Sequence, residues 1–550
     1  MSGRLQHPRN MDAMNSVATE PDEPQLAEPH LRAVLASAGL DVEYVRAEGN
    51  TLHMRGEDGR EIPVVDFAGG YGSLLLGHNH PVITAYAKQL LDAATPVHAQ
   101  FSLHPEANRL AVALNRIVRR ELGDDEPYLA IFANSGAEAN EAAVKHAELD
   151  RVLRLEAQLE KVGKSFEAAG YAVRGGKATV PDTTWEGAGL TAPRPQDPTE
   201  ALGVLVDALT RRNAEQAARP PVFLAPEGSF HGKLVGSVQL THNEAYRAPF
   251  KSLAAQARFV PVNRPGAVQR VIDEERASLL GLTVTGGRVE IRRHEAPVIC
   301  AFILEPIQGE GGIQELTREF AEEIQSACAA IDCPVVVDEI QSGMGRTGTF
   351  LASSDIGLRG DYYTLAKSLG GGLVKTSVLL VRESRYRGQF ELIHSSTFAK
   401  DGFSSLVALK VLDLVEADGG AVYREAGERG ARLKDMLHAV HKDYPEVVKD
   451  VRGKGLMLGI EFHDQSDAPA PPVQEAARAG LFGYLLAGHL LRGHRIRTFP
   501  TASAANTLRF EPSVLLTDAE IQQLDTGLRD ICDIVRGNYG RPLSLPAPPA

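Results

Sequence analysis

Five short, unbroken apolar runs, at 128–132, 222–225, 297–304, 334–337 and 376–381, alternate along the chain with stretches of helical period. A strand that is apolar at nearly every position has to be buried on both faces, and the helices between such strands are what cover it. This order therefore predicts an α/β fold built on a mostly parallel sheet. In such sheets ligands bind beyond the carboxyl ends of the strands, so the polar segments that follow each run are where chemistry is to be sought. At 550 residues the chain is too long for one ordinary core, which predicts two or more units.

Three smaller apolar runs between Asp41 and Phe67, split by the turn pairs Gly49-Asn50 and Asp58-Gly59, predict a strand meander near the start. A helical period follows Pro81, with Val82, Ile83, Tyr86, Leu90 and Leu91 on one side. Residues 148–220 break the strand–helix rhythm. They hold two helical patterns, 153–169 and 199–217, around a Gly-, Pro- and Thr-rich piece with the only tryptophan, Trp185, and read as an insertion. Beyond Ala421, helical stretches interrupted by RGKGLMLGIEF and NTLRFEPS predict a second, smaller α/β unit. The first 28 or so residues and the Pro-rich end are expected to be irregular and to carry no chemistry.

Composition narrows the function. With 58 basic and 71 acidic residues the net charge is −13, which argues against a protein that tracks a nucleic-acid backbone. No window approaches 18 consecutive apolar residues and the N-terminal stretch lacks a signal-peptide pattern, so neither a membrane span nor export is expected and the cytoplasm is the default address. Four scattered cysteines, Cys300, Cys328, Cys333 and Cys532, fit buried thiols in a reducing compartment.

Three clusters follow strand-like runs. In FANSGAEANEAAVKHA, the Ser135-Gly136-Ala137 turn opens a helix and presents backbone N–H groups and a hydroxyl to an anion such as phosphate; a plain helix cap explains the same residues equally well. In VVVDEIQSGMGRTG, Asp338 ends a run of three valines, and a carboxylate at the mouth of a buried strand requires a cationic partner. The glycines at 343, 345 and 348 do not form a dinucleotide fingerprint, because they begin five residues past the strand and open no long helix. In TLAKSLGGGL, Lys367 precedes three glycines, an arrangement that fits an amine held close to a cofactor and equally a surface loop. The pair His78 and His80 has no third ligand nearby, and no metal site is expected. Neither a G-x-S-x-G elbow nor a phosphate-binding G-x-x-x-x-G-K-[ST] loop occurs.

An anion-binding turn, a strand-end acid and a lysine 29 residues after it are the parts needed to hold pyridoxal phosphate. With these motifs in this order, from about Asp66 to Leu524, the chain resembles the class III aminotransferases of the fold-type I pyridoxal-phosphate enzymes, the group of ornithine, acetylornithine and 4-aminobutyrate aminotransferases. The resemblance implies a large domain around a mostly parallel seven-stranded sheet and a smaller α/β domain built from both chain ends. On that division 1–40 is a lead-in, 41–100 and 426–550 form the small domain, and 101–425 forms the large one, with the insertion at 148–220.

It also implies roles. Ser135, Gly136 and Ala137 match the phosphate-binding turn. Phe230 and His231 match the aromatic-His-Gly motif, whose ring stacks on the pyridine, and Asp338 matches the aspartate that pairs with the pyridine nitrogen. Gln341 matches the side chain that contacts the ring hydroxyl, and Lys367 the Schiff-base lysine that moves the proton. Thr397 matches a threonine that reaches the phosphate of a neighbouring subunit, which implies a homodimer with shared sites. Arg509 matches the arginine that grips a substrate carboxylate, Glu310 the glutamate that pairs with it when an ω-amine is bound, and Glu305 is expected to support Asp338 or His231. The implied reaction moves an amino group between glutamate or 2-oxoglutarate and an ω-amine, aldehyde or ketone partner, through a pyridoxamine phosphate stage. The rival within the family is an aminomutase or racemase, and the rival outside catalysis is a pyridoxal-phosphate-binding regulator. Two segments depart from the family pattern, Val374-Lys375-Thr376-Ser377 and Ala399-Lys400-Asp401-Gly402, and with the insertion they point to an unfamiliar substrate.

Overall fold

The computed structural model describes residues 26–97, 102–255 and 257–537. The expectations for 1–25 and for the Pro-rich end at 538–550 lie outside these residues.

Seven strands form the central sheet, in the order Tyr128–Ala133, Ser377–Arg382, Tyr362–Leu365, Val335–Asp338, Ile299–Leu304, Val222–Pro226 and Ala257–Val260. The last five are mutually parallel. Ser377–Arg382 runs against both of its neighbours, so Tyr128–Ala133 points the same way as the parallel five. All six residues of Ile299–Leu304 and all four of Val335–Asp338 are buried, as unbroken apolar runs require when helices cover both faces. Two of the strands, Ala257–Val260 and Tyr362–Leu365, went unread in the sequence, the first because its alternating ARFV is short and the second because tyrosines dilute the apolar signal.

The helix Gly136–Arg174 has 39 residues. It is about 58 Å long at 1.5 Å per residue, and so starts on the sheet and ends well outside it. Its outer half packs on the helix Pro198–Ala217 and on a hairpin, Ala277–Thr285 with Arg288–Ala296, around Trp185, Leu205, Leu209, Leu280 and Val289. Asn213 closes the join by exchanging two 2.8 Å hydrogen bonds with the backbone of Leu280. The insertion is thus larger than the sequence suggested, because the hairpin that completes its core enters some 60 residues further along the chain.

Both chain ends meet beside the sheet. Tyr44–Glu48, Thr51–Arg55 and Glu61–Asp66 form the meander, and Ile496–Arg497 adds to it in parallel with Glu61–Asp66. Val448–Lys454, Met457–Phe462, Thr507–Phe510 and Phe499–Pro500 make a second, antiparallel sheet. The long helical segment Gly402–Asp443 leads there, broken by left-handed residues at Asp418, Gly419 and Gly420. Its first residue follows Asp401, whose carboxylate caps it by accepting from Ser404 N at 2.7 Å. The cap gives one of the two departing segments a local structural reason.

Between the meander and the sheet, Gly69, Gly70, Tyr71 and Gly72 all take positive φ. A Cβ on Gly69 would lie 1.8 Å from the carbonyl oxygen of Glu511, a contact no side chain can make. Gly69→Ala is expected to destabilise the fold by more than about 2 kcal/mol, read as a lowered urea midpoint. A variant as stable as the parent would mean that the strap does not bear on Glu511.

Candidate active site

The carboxyl ends of five strands converge, and the chemistry-bearing segments follow them: Ser135 after Tyr128–Ala133, Phe230 and His231 after Val222–Pro226, Glu305 and Glu310 after Ile299–Leu304, Asp338 closing its own strand, and Lys367 after Tyr362–Leu365. Close contacts join these segments. A Cβ on Gly232 would meet Ala137 at 2.7 Å, and the Cβ position of Gly136 lies 2.8 Å from Ile340. The turn at 135–137 therefore sits directly against the Phe230-His231-Gly232 segment and the Asp338 segment.

Ser135 caps the long helix. Its hydroxyl accepts from Glu138 N at 3.3 Å, and the Glu138 carboxylate accepts from Asn134 N at 2.6 Å and Ser135 N at 3.0 Å. These bonds use the donors before the helix and leave the first-turn N–H groups of Gly136 and Ala137, which have no intrahelical acceptor, facing outward at the positive end of the dipole. Ser377, in the other departing segment, donates its hydroxyl to the Ser135 carbonyl at 2.7 Å.

Asp338 is buried, and both its oxygens are engaged. Asn140 Nδ2 donates to Oδ2 at 2.7 Å, His231 Nδ1 lies 2.8 Å from the same oxygen, and Ile340 N donates to Oδ1 at 3.1 Å. Asn140 also donates to the His231 carbonyl at 2.9 Å and accepts from Thr364 Oγ1 at 2.9 Å, locking the amide. A carboxylate has about four lone-pair directions, so three protein donors leave one for a cationic N–H. Glu305 lies beneath, accepting from Phe230 N at 2.8 Å and Gly309 N at 3.1 Å; burial pushes its carboxyl up to about 7. The Phe230 ring is half-buried and meets Tyr246 edge-on at 6.5 Å.

Lys367 takes φ 48°, an uncommon conformation for a residue with a side chain and one that marks a constrained site. Burial lowers its pKa below the ordinary lysine value, although the carboxylates of Glu511, Glu310 and Asp338 act in the opposite sense. On the substrate side, the Arg509 guanidinium grips Glu310 through both nitrogens, Nη1 to Oε1 at 2.6 Å and Nη2 to Oε2, while Ala502 N donates to Oε2 at 2.7 Å. Arg509 is almost fully buried and lies 5.0 Å over the Tyr71 ring, and the charge of Arg509 holds the Glu310 carboxyl below its usual range against the effect of burial.

Sequence reasoning missed three residues here. Asn140 lies in the quoted helix, but its partners are 91 and 198 positions away. Tyr71 stands in the run Gly69-Gly70-Tyr71-Gly72, which carries no motif of its own in the sequence. Glu511 is two residues past Arg509 and so on the same side of an extended segment; its Oε1 accepts from Gln341 Nε2 at 2.6 Å, and its Oε2 is buried without a partner. The alternation in NTLRFEPS was the available signal for Glu511. Thr397 lies near the turn at 135–137. Its neighbour Ser396 accepts from Asn134 Nδ2 at 2.7 Å, and Thr397 itself lines an exposed groove with Leu103, Val112, Phe132 and Phe390. His78 is paired with Asp66 at 2.8 Å.

A helix N-terminus for a phosphate, a held carboxylate with one free direction for a pyridinium N–H, and a desolvated amine fit pyridoxal phosphate, and together with the sheet they define a fold-type I pyridoxal-phosphate enzyme. The family model for class-III aminotransferases matches residues 35–531. The chain belongs to that family: it is an aminotransferase that uses pyridoxal phosphate. Solved structures with the same fold include the ornithine aminotransferase of Toxoplasma gondii ME49, at 21% identity over 91% of this chain and 92% of that one, with a TM-score of 0.62. An amine transaminase from an uncultivated Pseudomonas species shares 20% identity over 96% and 98%, with a TM-score of 0.62. A transaminase from the marine bacterium Virgibacillus shares 19% over 91% and 94%, also with a TM-score of 0.62. No helix among the described residues is long and apolar enough to cross a membrane.

Proposed function

We propose that this aminotransferase exchanges amino groups between glutamate or 2-oxoglutarate and an ω-amine or its aldehyde or ketone, with Lys367, Asp338 and Arg509 in the leading roles. The observation that carries the reading is the Arg509–Glu310 pair. A buried guanidinium neutralised by a movable acid suits two substrates in turn, one with a carboxylate that displaces Glu310 and one without.

Pyridoxal phosphate supplies the carbonyl that condenses with the amine and the ring that takes up electrons from the substrate carbon. Gly136 and Ala137 would donate backbone N–H groups to its phosphate, and Ser135 would add its hydroxyl. Phe230 would pack against the ring, while Asp338, oriented by Asn140 and His231, would keep the ring nitrogen protonated. Gln341, its amide held by Glu511, would contact the ring hydroxyl. Lys367 would be the base that takes the proton from the substrate carbon and the acid that returns it, and its lowered pKa makes the neutral amine available at a lower pH than in an exposed lysine.

The reading extends to a homodimer. The groove beside Thr397 lies over the edge strand Tyr128–Ala133 and the helix Pro105–Leu122, and exposes Leu103, Val112 and Leu392, an apolar face that a second copy of this chain would cover. Buried, unpaired cysteines among the described residues support a cytoplasmic location.

The test is a single turnover with L-glutamate and no acceptor. One equivalent of 2-oxoglutarate per site is expected; a cofactor-loaded enzyme that releases none would overturn glutamate as the donor. Arg509→Ala should lower kcat/KM for glutamate on the order of 100-fold, from the loss of two charge-assisted hydrogen bonds, and much less for an amine without a carboxylate. Equal losses for both would remove Arg509 from carboxylate recognition.

A further inference from the structure

Away from the active site, His489 and His494, on the helix Phe482–His494, face Asp530 on the helix Asp518–Gly537. Nε2 of each ring lies 2.9 Å from the same oxygen, Asp530 Oδ2, and the three possible ligand atoms all lie within 4.8 Å of one another. The rings are 5.7 Å apart between centroids and tilted by 52°, so they converge on the carboxylate from two directions.

This convergence is built by the backbone. Five residues of helix would separate the two side chains around the axis, but His494 is the last residue of its helix and Arg495 then turns to φ 57°. The His494 ring comes close to Gly527, where a Cβ would stand 3.2 Å from His494 Cγ and 2.8 Å from Leu490. Gln523 Nε2 fixes the same corner by donating to the His494 carbonyl at 2.7 Å.

We propose that His489, His494 and Asp530 form a site for a divalent first-row transition ion, zinc foremost, that clamps these two helices together. Two imidazoles and a carboxylate suit such an ion and not calcium or magnesium, which favour all-oxygen sets. Bond lengths of about 2.0–2.2 Å in a tetrahedral site place ligand atoms roughly 3.3 Å apart. Each Nε2 therefore moves outward by a few tenths of an ångström, and its proton shifts to Nδ1. All three side chains remain 19–30% exposed, which leaves the fourth position open to water. The ion's role is structural. His494 leads directly into Ile496–Arg497, and Arg497 Nη1 donates at 2.9 Å to Asp66, the residue that anchors the Gly69–Gly72 strap. No local pattern pointed to this site, since the two histidines lack a standard ligand spacing and Asp530 follows 36 residues after the second.

The test uses cofactor-loaded, chelator-treated enzyme. Calorimetry with zinc chloride is expected to give one site per chain with micromolar or tighter affinity, zinc but not magnesium should raise the thermal midpoint, and cobalt should give the absorption of a four-coordinate ion. His489→Ala and the double variant His489→Ala/His494→Ala should each lose at least tenfold in zinc affinity while keeping wild-type turnover and circular dichroism. Should either fail to fold, Asp530→Asn carries the same expectation. No zinc binding by the parent, or equal affinity in the folded variants, would overturn the proposal.

Discussion

Lys367→Ala is expected to cut turnover by roughly 10⁴-fold or more while leaving the fold intact, because on the proposed reading one amine serves both as the attachment point of the cofactor and as the base that moves the proton. No neighbour can substitute for it. The groups whose charges reach it most strongly are Glu511, Glu310, Arg509 and Asp338; Glu310 and Asp338 are carboxylates engaged with other partners, Glu511 accepts from Gln341 through one oxygen, and Arg509 is a guanidinium that stays protonated, so none offers an amine that could form the same link to the cofactor. The left-handed conformation at Lys367 is relieved rather than worsened by a smaller side chain, so circular dichroism and the unfolding midpoint should change little. Steady-state assays with glutamate, alongside those two measurements, check the expectation. A folded variant that keeps a tenth of the parent's activity would remove Lys367 from the reaction.

Asp338→Asn should cost on the order of 10²–10³-fold in kcat, with a smaller change in KM, since on the proposed reading it removes the negative charge that keeps the ring nitrogen protonated and so able to take up electrons. The change is nearly isosteric, yet the amide cannot accept from Asn140, His231 and Ile340 as the carboxylate does, because its NH₂ group would face a donor on one side. Asn140→Ala is a useful companion: it leaves the charge in place and releases the orientation, and so should fall between the parent and Asp338→Asn. If Asp338→Asn retained the parent's kcat, a charged partner for the ring nitrogen at this position would be ruled out.

Much of this was legible in the chain because its signals are local. A run such as VVVD announces a strand buried on both faces and a carboxylate at its mouth, and Ser135 before GAE announces a helix start, which the structure shows as a capping box with Glu138. The resemblance to the family, rather than any local pattern, singled out Arg509 and Glu310, and the structure brings them into direct contact across 199 positions. The strands Ala257–Val260 and Tyr362–Leu365 were lost because four residues of mixed character do not rise above their surroundings; pairing with longer neighbours makes them strands.

The sequence by itself determined the layer order of the fold and the residue types available to the site, since apolar period and side-chain chemistry are properties of short segments. Tertiary structure alone decided which groups meet. Glu511 takes up the Gln341 amide, Asn140 bridges His231 and Asp338, the hairpin Ala277–Thr285 with Arg288–Ala296 completes the insertion's core, and His489 and His494 close on one oxygen of Asp530. Each of these partners is fixed by packing between elements tens to hundreds of residues apart, and no local pattern encodes that distance.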